Sequence, residues 1–316
     1  MQLLKRNLIL WKGVGVRMLE ELKTFMVVVE QENFTKAGEM IRLSQPSVSL
    51  HIKNLEKYFN TTLITRSSRQ KNIIITESGR LLYRRAKEIF RLVENTTNEL
   101  KNISSSLKGH IKIGSSLTIG EYFLPNFLKQ FSMDYPDIEI EVIIENTASI
   151  CEGVRNLKLD FGLIEGIVSS HDFKQEYFLE DNMVLMVPYD HPLTKDEFTY
   201  DKLQNLRWIS REFGSGTREY LDIFLTTNEI VPRNIMVLGS NYAIKEAVKN
   251  GLGVTLISNY VAKEAYKNKE VSIIEVDNSF KRHFSYLISK DISLSMISKL
   301  FIESLSAYSD KYDIEK

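Results

Sequence analysis

The stretch from residue 34 to residue 56 constrains the fold of this chain more than any other part of the sequence. Apolar residues recur there at helical spacing in two short runs, which are separated by a turn that contains Leu43. The runs are Ala37, Met40 and Ile41, followed by Val48, Ile52 and Leu55. Ala37 and Gly38 are small where the two helices would cross, which permits the close approach of a helix-turn-helix. The pattern therefore predicts two short helices whose apolar stripes pack against each other.

The second helix has the composition of a helix that reads DNA. Ser44 is a good N-cap and Pro46 is tolerated in a first turn, so we expect the helix to begin near Gln45. Its exposed face is predicted to consist of Gln45, Ser47, Ser49, Leu50, His51, Lys53 and Asn54. Amide and hydroxyl groups can bond base edges in the major groove while Lys53 meets a phosphate. The alternative is an ordinary amphipathic hairpin with a solvated polar face.

A basic β-hairpin follows this unit. Residues 62–66 and 73–75 are predicted strands, and residues 67–71 form the loop between them. Arg66, Arg69 and Lys71 would lie beside the phosphate backbone or the minor groove. Thr76 is expected to cap the next helix. The residues expected to contact DNA are Thr35, Ser44, Gln45, Pro46, Ser47, Ser49, Leu50, Lys53, Arg66, Arg69 and Lys71.

These segments resemble the LysR-type transcriptional regulators. The matching positions are residues 22–25 (LKTF), 34–35 (FT), 37–39 (AGE), 44–46 (SQP), 48–49 (VS), Ile52, 55–56 (LE), Leu63, Arg66, Thr76 and Gly79. Gly38 and Ile64 depart from the usual alanine and phenylalanine, without altering the expected packing. The resemblance implies a winged helix-turn-helix over 18–76, a dimerising linker helix over 77–107, and an α/β effector-binding domain of periplasmic-binding-protein type over 109–316. It also implies a tetramer by analogy, with RNA polymerase as a further candidate partner.

The charges of the chain are distributed unevenly. Residues 1–110 contain 19 Lys and Arg against 10 Asp and Glu, a net charge of +9, whereas residues 111–316 contain 22 against 31, a net charge of −9. The basic half suits a polyanion and the acidic half would be repelled from it. DNA binding is therefore expected within the first hundred residues.

Residues 1–17 contribute four of these cations and precede Met18, where LysR-type chains usually begin. A mis-assigned start codon is the favoured interpretation, because the apolar run over residues 8–11 is shorter than the roughly 7 to 15 residues of a signal-peptide core. No window approaches the roughly 18 apolar residues of a membrane span. The single cysteine, Cys151, excludes an internal disulfide. These features favour a reducing cytoplasm.

The region from Gly79 to about Leu107 lacks Pro and Gly after its first residue and carries a narrow apolar seam. Its positions, in alternating steps of four and three, are Leu82, Ala86, Ile89, Val93, Thr96, Leu100, Ile103 and Leu107. Such a seam is typical of a two-helix coiled coil, so we expect it to form a dimer that places two recognition helices on two half-sites. Thr96 is the polar exception, either a register marker or a tolerated residue.

The remaining chain alternates β and α patterns. The first series is a strand at 110–114, a helix at 120–135, a strand at 138–144, a helix at 149–156 and a strand at 161–164; the second is a strand at 183–187, a strand at 208–210, a helix at 216–226, a strand at 235–238, a helix at 241–250 and a strand at 253–257; strands at 271–276 and 284–289 and a helix at 295–308 complete the chain. Alternation of this kind predicts parallel sheets covered by helices. The predicted first lobe is 109–166 with 271–316, and the second is 167–270.

Ligands of such sheets bind outside the carboxyl ends of the strands, in this case in the cleft between the lobes. The first lobe would contribute Ser115, Ser116, Thr118, Asn146, Thr147 and Glu165, and the second Ser215, Gly216, Thr217, Arg218, Ser240 and Asn241. Glycine-flanked hydroxyls that open a helix favour an anion. A small anionic or zwitterionic ligand is therefore expected, although each of these residues could instead be a simple cap or loop residue.

Further matches resemble the branch of LysR-type regulators that governs sulfur assimilation and carbon fixation. They are residues 120–122 (GEY), 124–125 (LP), 160–166 (DFGLIEG), 211–218 (REFGSGTR) and 248–253 (VKNGLG). By this resemblance sulfite or an acetylated serine are candidate effectors.

Two other classes of protein are disfavoured. An enzyme on the α/β body lacks support because the five His are scattered, Cys151 has no companion motif, and the sequence contains neither a metal-ligand spacing nor a nucleotide-binding glycine motif. No cofactor is expected. A solute-binding protein is disfavoured by the N-terminal DNA-binding unit and the missing signal peptide.

Overall fold

The computed structural model describes residues 16–66, 73–102, 107–166, 168, 171–195, 197–277, 280–290 and 293–314. Contacts divide the chain into two compact units, the first ending at Thr97 and the second beginning at Asn98. Of the segment 1–17 that was attributed to a mis-assigned start codon, residues 1–15 lie outside the described residues, and Val16 and Arg17 begin the first helix. None of the helices in the described ranges is long and apolar enough to cross a lipid bilayer.

The first unit is a three-helix core with a short hairpin. Its helices are α1 (Val16–Gln31), α2 (Phe34–Ile41) and α3 (Gln45–Phe59). The predicted start of α3 is confirmed, since Ser44 caps it by accepting from the Ser47 N–H at 3.3 Å. The buried core contains Met18, Leu22, Phe25, Val28, Ala37, Val48, Ile52, Leu55, Leu63 and Ala86.

The crossing of α2 with the turn is tighter than expected. A Cβ on Gly38 would come within 2.6 Å of the Leu43 carbonyl oxygen, so the usual alanine would force the turn to shift. The expectation that this departure leaves the packing unaltered is therefore wrong. Met40, predicted to face inward, is 64% exposed because Ala37 already fills the crossing.

The hairpin forms as predicted, with β1 (Ile64–Arg66) antiparallel to β2 (Ile73–Ile75). Glu56 at the end of α3 accepts from the backbone N–H groups of Leu63 at 2.9 Å and Ile64 at 3.3 Å. This carboxylate therefore fixes the hairpin to the recognition helix. Thr76 accepts from the Gly79 N–H at 3.0 Å, which confirms the predicted cap of the following helix.

The linker helix is α4 (Glu77–Asn102). Its predicted seam is shorter than expected at both ends. Ala86 is fully buried in the core of the first unit, and Leu82 packs against the same core. Ile103 lies outside the described residues, and Leu107 lies beyond the helix and packs against the core of the second unit. The exposed seam residues are Ile89 (40%), Val93 (49%) and Leu100 (64%).

The second unit continues the numbering in chain order. Its elements are β3 (Gly109–Ser115), α5 (Leu124–Asp134), β4 (Ile138–Ile144), α6 (Thr147–Arg155), β5 (Phe161–Glu165), β6 (Phe173–Pro188), β7 (Arg207–Ser210), α7 (Gly216–Thr227), β8 (Asn234–Val237), α8 (Asn241–Lys249), β9 (Thr255–Ser258), α9 (Asn259–Lys267), β10 (Val271–Glu275), β11 (Lys281–Ser289) and α10 (Met296–Ile314). Most boundaries lie within one or two residues of the prediction. A π-helical turn (Ile119–Phe123) replaces the start of the helix predicted at 120–135, and α9 was not predicted.

Seven strands of the second unit are connected through both lobes, and β7 and β8 form a separate two-stranded sheet. In the first lobe the strand order is β4-β3-β5-β11-β6, with β3 parallel to β4 and β5, and β11 antiparallel to its neighbours. In the second lobe β6 pairs antiparallel with β9 and β10, and β7 pairs parallel with β8. The predicted two-lobed α/β architecture is confirmed. The prediction of parallel sheets is correct for β3, β4 and β5 but wrong for β6, which pairs antiparallel with β9, β10 and β11.

The strand β6 belongs to both lobes. Residues up to Asn182 pair with β11, whereas residues from Met183 onward pair with β9 and β10. The predicted crossings near Gly166 and Val271 are therefore wrong: the chain enters the second lobe within β6, and β10 lies in the second lobe. The first ten residues of β6 (FKQEYFLEDN) escaped prediction because they show neither a continuous apolar run nor a regular alternation of apolar and polar residues.

Candidate functional sites

The N-terminal end of α3 presents the predicted polar groups. Thr35, Ser44, Gln45, Pro46, Leu50 and Lys53 are exposed, and Ser47 and Ser49 are half-buried. Gln45 donates from Nε2 to the Ser49 hydroxyl at 2.9 Å, and the Ser44 and Ser47 hydroxyls are 2.8 Å apart. These side chains are thus linked in pairs along one surface.

Two residues predicted on that surface instead hold α3 against α1. Asn54 donates from Nδ2 to Glu21 Oε1 at 2.7 Å, and His51 Nδ1 lies 2.8 Å from the Thr24 hydroxyl. The Thr24 hydroxyl also donates to the Glu20 carbonyl at 2.9 Å. Because a hydroxyl has one proton, His51 Nδ1 donates to Thr24. His51 and Asn54 therefore fix the rotation of the recognition helix.

The predicted hairpin cations are described only in part. Arg66 is the last residue of β1, paired with Ile73. Arg69 and Lys71 lie outside the described residues.

In the second unit, the predicted effector residues all lie at strand ends or helix starts. Ser115 ends β3, Glu165 ends β5, and Asn146, Ser215 and Ser240 are the N-caps of α6, α7 and α8. The structure separates these residues into a buried polar network and an open cavity.

Arg282 on β11 is the centre of the buried network. It donates from Nε to Asp181 at 2.7 Å, from Nη1 to Thr217 at 3.1 Å, and from Nη2 to Thr118 at 3.2 Å. Glu165 lies 3.6 Å away, and Ser258 donates to Asp181 at 2.7 Å. Burial alone would lower the pKa of the guanidinium, but the Asp181 and Glu165 carboxylates outweigh it and raise that pKa. Arg282 therefore remains charged and joins both lobes.

A second chain of bonds crosses the cleft beside it. Arg211, which is 2% exposed at its side chain, donates from Nη1 to Asn241 at 2.9 Å, and Asn241 donates to Thr118 at 3.2 Å. Asn146 of the first lobe donates to Glu212 of the second at 3.1 Å. The Ala148 N–H donates to the Gly214 carbonyl at 3.0 Å, so the 211–218 loop rests on the start of α6.

The open cavity lies between α6 and α7 and has a volume of about 850 Å³, which is in the size range of small-molecule sites. Thr147, Ser215, Gly216 and Arg218 line it, together with Cys151 and Phe213. Arg218 bonds Asp222 at 2.8 Å and stacks over Phe213, which is 82% exposed. Burial raises the pKa of the Cys151 thiol to about 11, so it is unreactive at neutral pH.

Several buried oxygens at the cleft have no hydrogen-bond partner within the described part of the chain. They are the hydroxyls of Ser116, Thr147 and Ser210 and the Oε1 atom of Glu165. Each lies at the end of a strand or the start of a helix that faces the cleft. Leaving such groups unsatisfied costs about 1–3 kcal/mol each, so a ligand that bonds them would be favoured.

Sequence reasoning missed Arg211, Ser210, Asp181 and Arg282 as site residues. Ser210 ends a predicted strand, and Arg211 is the first residue of the loop that follows it. Both could have been found from the rule that ligands bind at the carboxyl ends of strands. By contrast Ser240 accepts from the Ala243 N–H at 3.1 Å and caps α8. That bond is the simple structural role left open for it.

Two family models match the two units of the chain. Residues 19–80 match the family model of the bacterial regulatory helix-turn-helix protein, lysR family, and residues 104–309 match the LysR substrate binding domain. The chain is 43% identical over 288 residues to the HTH-type transcriptional regulator CysL of Bacillus subtilis, covering 90% of this chain and 96% of that protein. It is 31% identical to a probable RuBisCO transcriptional regulator of Phaeodactylum tricornutum, covering 82% and 86%.

A solved structure resembles the second unit. The CcmR regulatory domain of Synechocystis PCC6803, determined in complex with 2-PG, aligns with a TM-score of 0.60 and 27% identity over 64% of this chain and 98% of that domain. The similarity to CysL and to the RuBisCO regulators confirms the predicted branch of the family. The chain thus belongs to the LysR family of transcriptional regulators, which are DNA-binding proteins with an effector-binding domain and not enzymes.

Proposed function

We propose that this regulator responds to a small metabolite that carries an oxyanion, either an anion or a zwitterion, and that binds between the lobes of its effector domain. The buried hydroxyls of Ser116 and Ser210 carry this proposal, because they have no hydrogen-bond partner among the described residues and lie at strand ends of the two lobes. Hydroxyls can donate to an anion, and the Glu165 carboxylate can accept from an ammonium or hydroxyl group of the same ligand. The complex of the similar CcmR domain with 2-PG supports the proposal that the ligand is a small molecule.

The DNA-reading surface is proposed to be the N-terminal end of α3 with the hairpin cations. Two copies would pair through the exposed face of α4, so that two recognition helices read two half-sites of a palindromic-like promoter site. We further propose a homotetramer in the cytoplasm, with the chain divided into residues 18–76, 77–107 and 109–316. RNA polymerase remains a candidate partner.

The proposed mechanism is a change in the angle between the lobes. Ligand contacts to Ser116 in the first lobe and Ser210 in the second would stabilise one lobe arrangement over another. That preference changes the spacing of the DNA-binding units only if the ligand has different affinities for the two arrangements.

Thermal-shift measurements on the full-length protein test the ligand class, because a ligand that binds only the folded protein raises its melting temperature. The compounds are sulfate, sulfite, O-acetylserine, N-acetylserine and 2-PG, with glycerol as an uncharged control. A stabilising compound is then tested by footprinting on a DNA site selected from a random library. We expect an oxyanion compound to stabilise the protein and to alter the footprint. Stabilisation without any change in the footprint would contradict the proposed mechanism.

A further inference from the structure

Arg211 is a buried cation, and the carboxylate of the next residue, Glu212, bonds its guanidinium group. Glu212 accepts from Arg211 Nε at its Oε2 atom and from Arg211 Nη2 at its Oε1 atom, both at 2.8 Å. The remaining nitrogen, Nη1, donates to Asn241 at 2.9 Å. One edge of the guanidinium thus faces a carboxylate in the two-bond geometry by which arginine recognises oxyanions, while Asn241 fixes the other nitrogen.

Glu212 is far less enclosed than the cation it covers. The Arg211 side chain is 2% exposed, whereas the Glu212 side chain is 30% exposed. Asn146 of the opposite lobe also donates to the same Oε1 atom, at 3.1 Å. The carboxylate therefore lies at the mouth of the cleft and bonds both lobes, which is the arrangement expected of a ligand group. Rotation of its side chain toward solvent would leave Arg211 in place, because Asn241 still holds it.

We propose that Arg211 is the receptor for the oxyanion of the effector, and that the Glu212 carboxylate occupies this receptor until the effector displaces it. This inference rests on the proposed function and names the site of the anion within it. The ligand group is a carboxylate or a sulfur or phosphorus oxyanion. One of its oxygens accepts from Nε, and a second accepts from both Nη2 and Asn146, as the Glu212 oxygens do. The internal carboxylate lowers the apparent affinity, which equals the intrinsic affinity multiplied by the fraction of protein in which Arg211 is free of Glu212.

Titration calorimetry of the full-length protein with sodium sulfate tests this, at constant ionic strength balanced with sodium chloride. Glu212→Gln keeps the shape of the side chain but removes its charge, so we expect sulfate to bind about ten-fold more tightly than to the unchanged protein. Glu145→Gln is the matched control. It removes an exposed carboxylate next to Asn146 in the first lobe and leaves the Arg211–Glu212 pair unchanged. Adding Arg211→Lys to Glu212→Gln should remove the gain, because lysine cannot reproduce the two-bond fork.

The outcomes separate this proposal from the proposed function. Equal sulfate affinity in Glu212→Gln and the unchanged protein overturns the displacement of Glu212, as does an equal gain in Glu145→Gln, which would mark a general charge effect. Tighter sulfate binding without any change of the DNA footprint would support the Arg211 site while contradicting the regulatory role. If an oxyanion changes the DNA footprint but Glu212→Gln does not bind sulfate more tightly, the regulatory role is supported and the Arg211 site is contradicted.

Discussion

At the scale of single residues, Arg282 combines complete burial with bonds to both lobes. Replacing it with methionine leaves the buried Asp181 carboxylate without its cation, so we expect a loss of about 3–5 kcal/mol of unfolding free energy. The measurement is urea unfolding followed by the fluorescence of the buried Trp208, in a Trp11→Phe background. Adding Asp181→Asn to Arg282→Met should restore part of the loss. If the double variant lost as much unfolding free energy as the two single variants together, the coupling between Arg282 and Asp181 would be contradicted.

The DNA-contacting residues should divide into two roles. Gln45→Ala and Ser49→Ala should each cost about 1–3 kcal/mol on the selected site and little on random DNA, because these side chains are proposed to bond base edges. Arg66→Ala should weaken binding to both DNAs and flatten the salt dependence by about one unit of slope, because it is proposed to meet a phosphate. Fluorescence anisotropy across a range of salt concentrations measures both effects. Equal losses on both DNAs for all three variants would refute the division.

Local signals predicted residues well where neighbours in sequence decide their role. Ser44 caps α3 because the cap depends only on the next three residues, and that cap was predicted. Arg282 and Asp181 were not predicted because their ion pair joins residues 101 apart, on two strands whose pairing no local pattern reveals. His51 and Asn54 were placed on the wrong surface because helical spacing does not specify which polar side chain bonds α1.

At the scale of elements, the exposed seam of α4 is expected to form the dimer. Val93→Asp places a charge in the middle of that seam, so we expect the protein to become monomeric or to dissociate at least about ten-fold more readily, since an unpaired buried carboxylate costs several kcal/mol. Light scattering after size-exclusion chromatography measures the mass. Arg91→Asp, on the opposite side of the helix, is the control and should leave the mass unchanged. An unchanged mass for Val93→Asp would place the dimer contact elsewhere.

Elements bounded by caps and turns were predicted more accurately than the long strand. The helix α7 begins at Gly216 as expected, because a glycine-rich turn precedes it. The strand β6 was recognised only over its apolar last third, and this error displaced both predicted lobe boundaries. The proposed effector residues could be placed at strand ends from the sequence, because that position depends on the order of elements along the chain. Their division into a buried network and an open cavity depends on how the two lobes of the effector domain meet.

At the scale of the whole chain, the opposite charges of the two halves assign different tasks to them. The basic first half carries the net charge that DNA attracts, whereas the net negative charge of the second half is repelled by a phosphate backbone. An acidic domain repels anionic metabolites as well, so the local positive groups of its cleft must overcome the field of the domain. The charge of Arg282 is offset by the Asp181 and Glu165 carboxylates, so the proposed source of that local charge is Arg211 after Glu212 has been displaced.

Because β6 is shared by both lobes, it affects how the effector domain unfolds. One continuous backbone of 16 residues supplies hydrogen bonds to both sheets, so neither lobe can melt without removing a strand from the other. We expect the two lobes to unfold as one cooperative unit, with amide protons in both halves of β6 exchanging at a common slow rate set by global unfolding. Hydrogen exchange read by mass spectrometry tests this, and protection lost earlier in one half would contradict it. Proteolysis in the cell would then remove the whole sensor at once, and a regulator that retains DNA binding but has half a sensor would not accumulate.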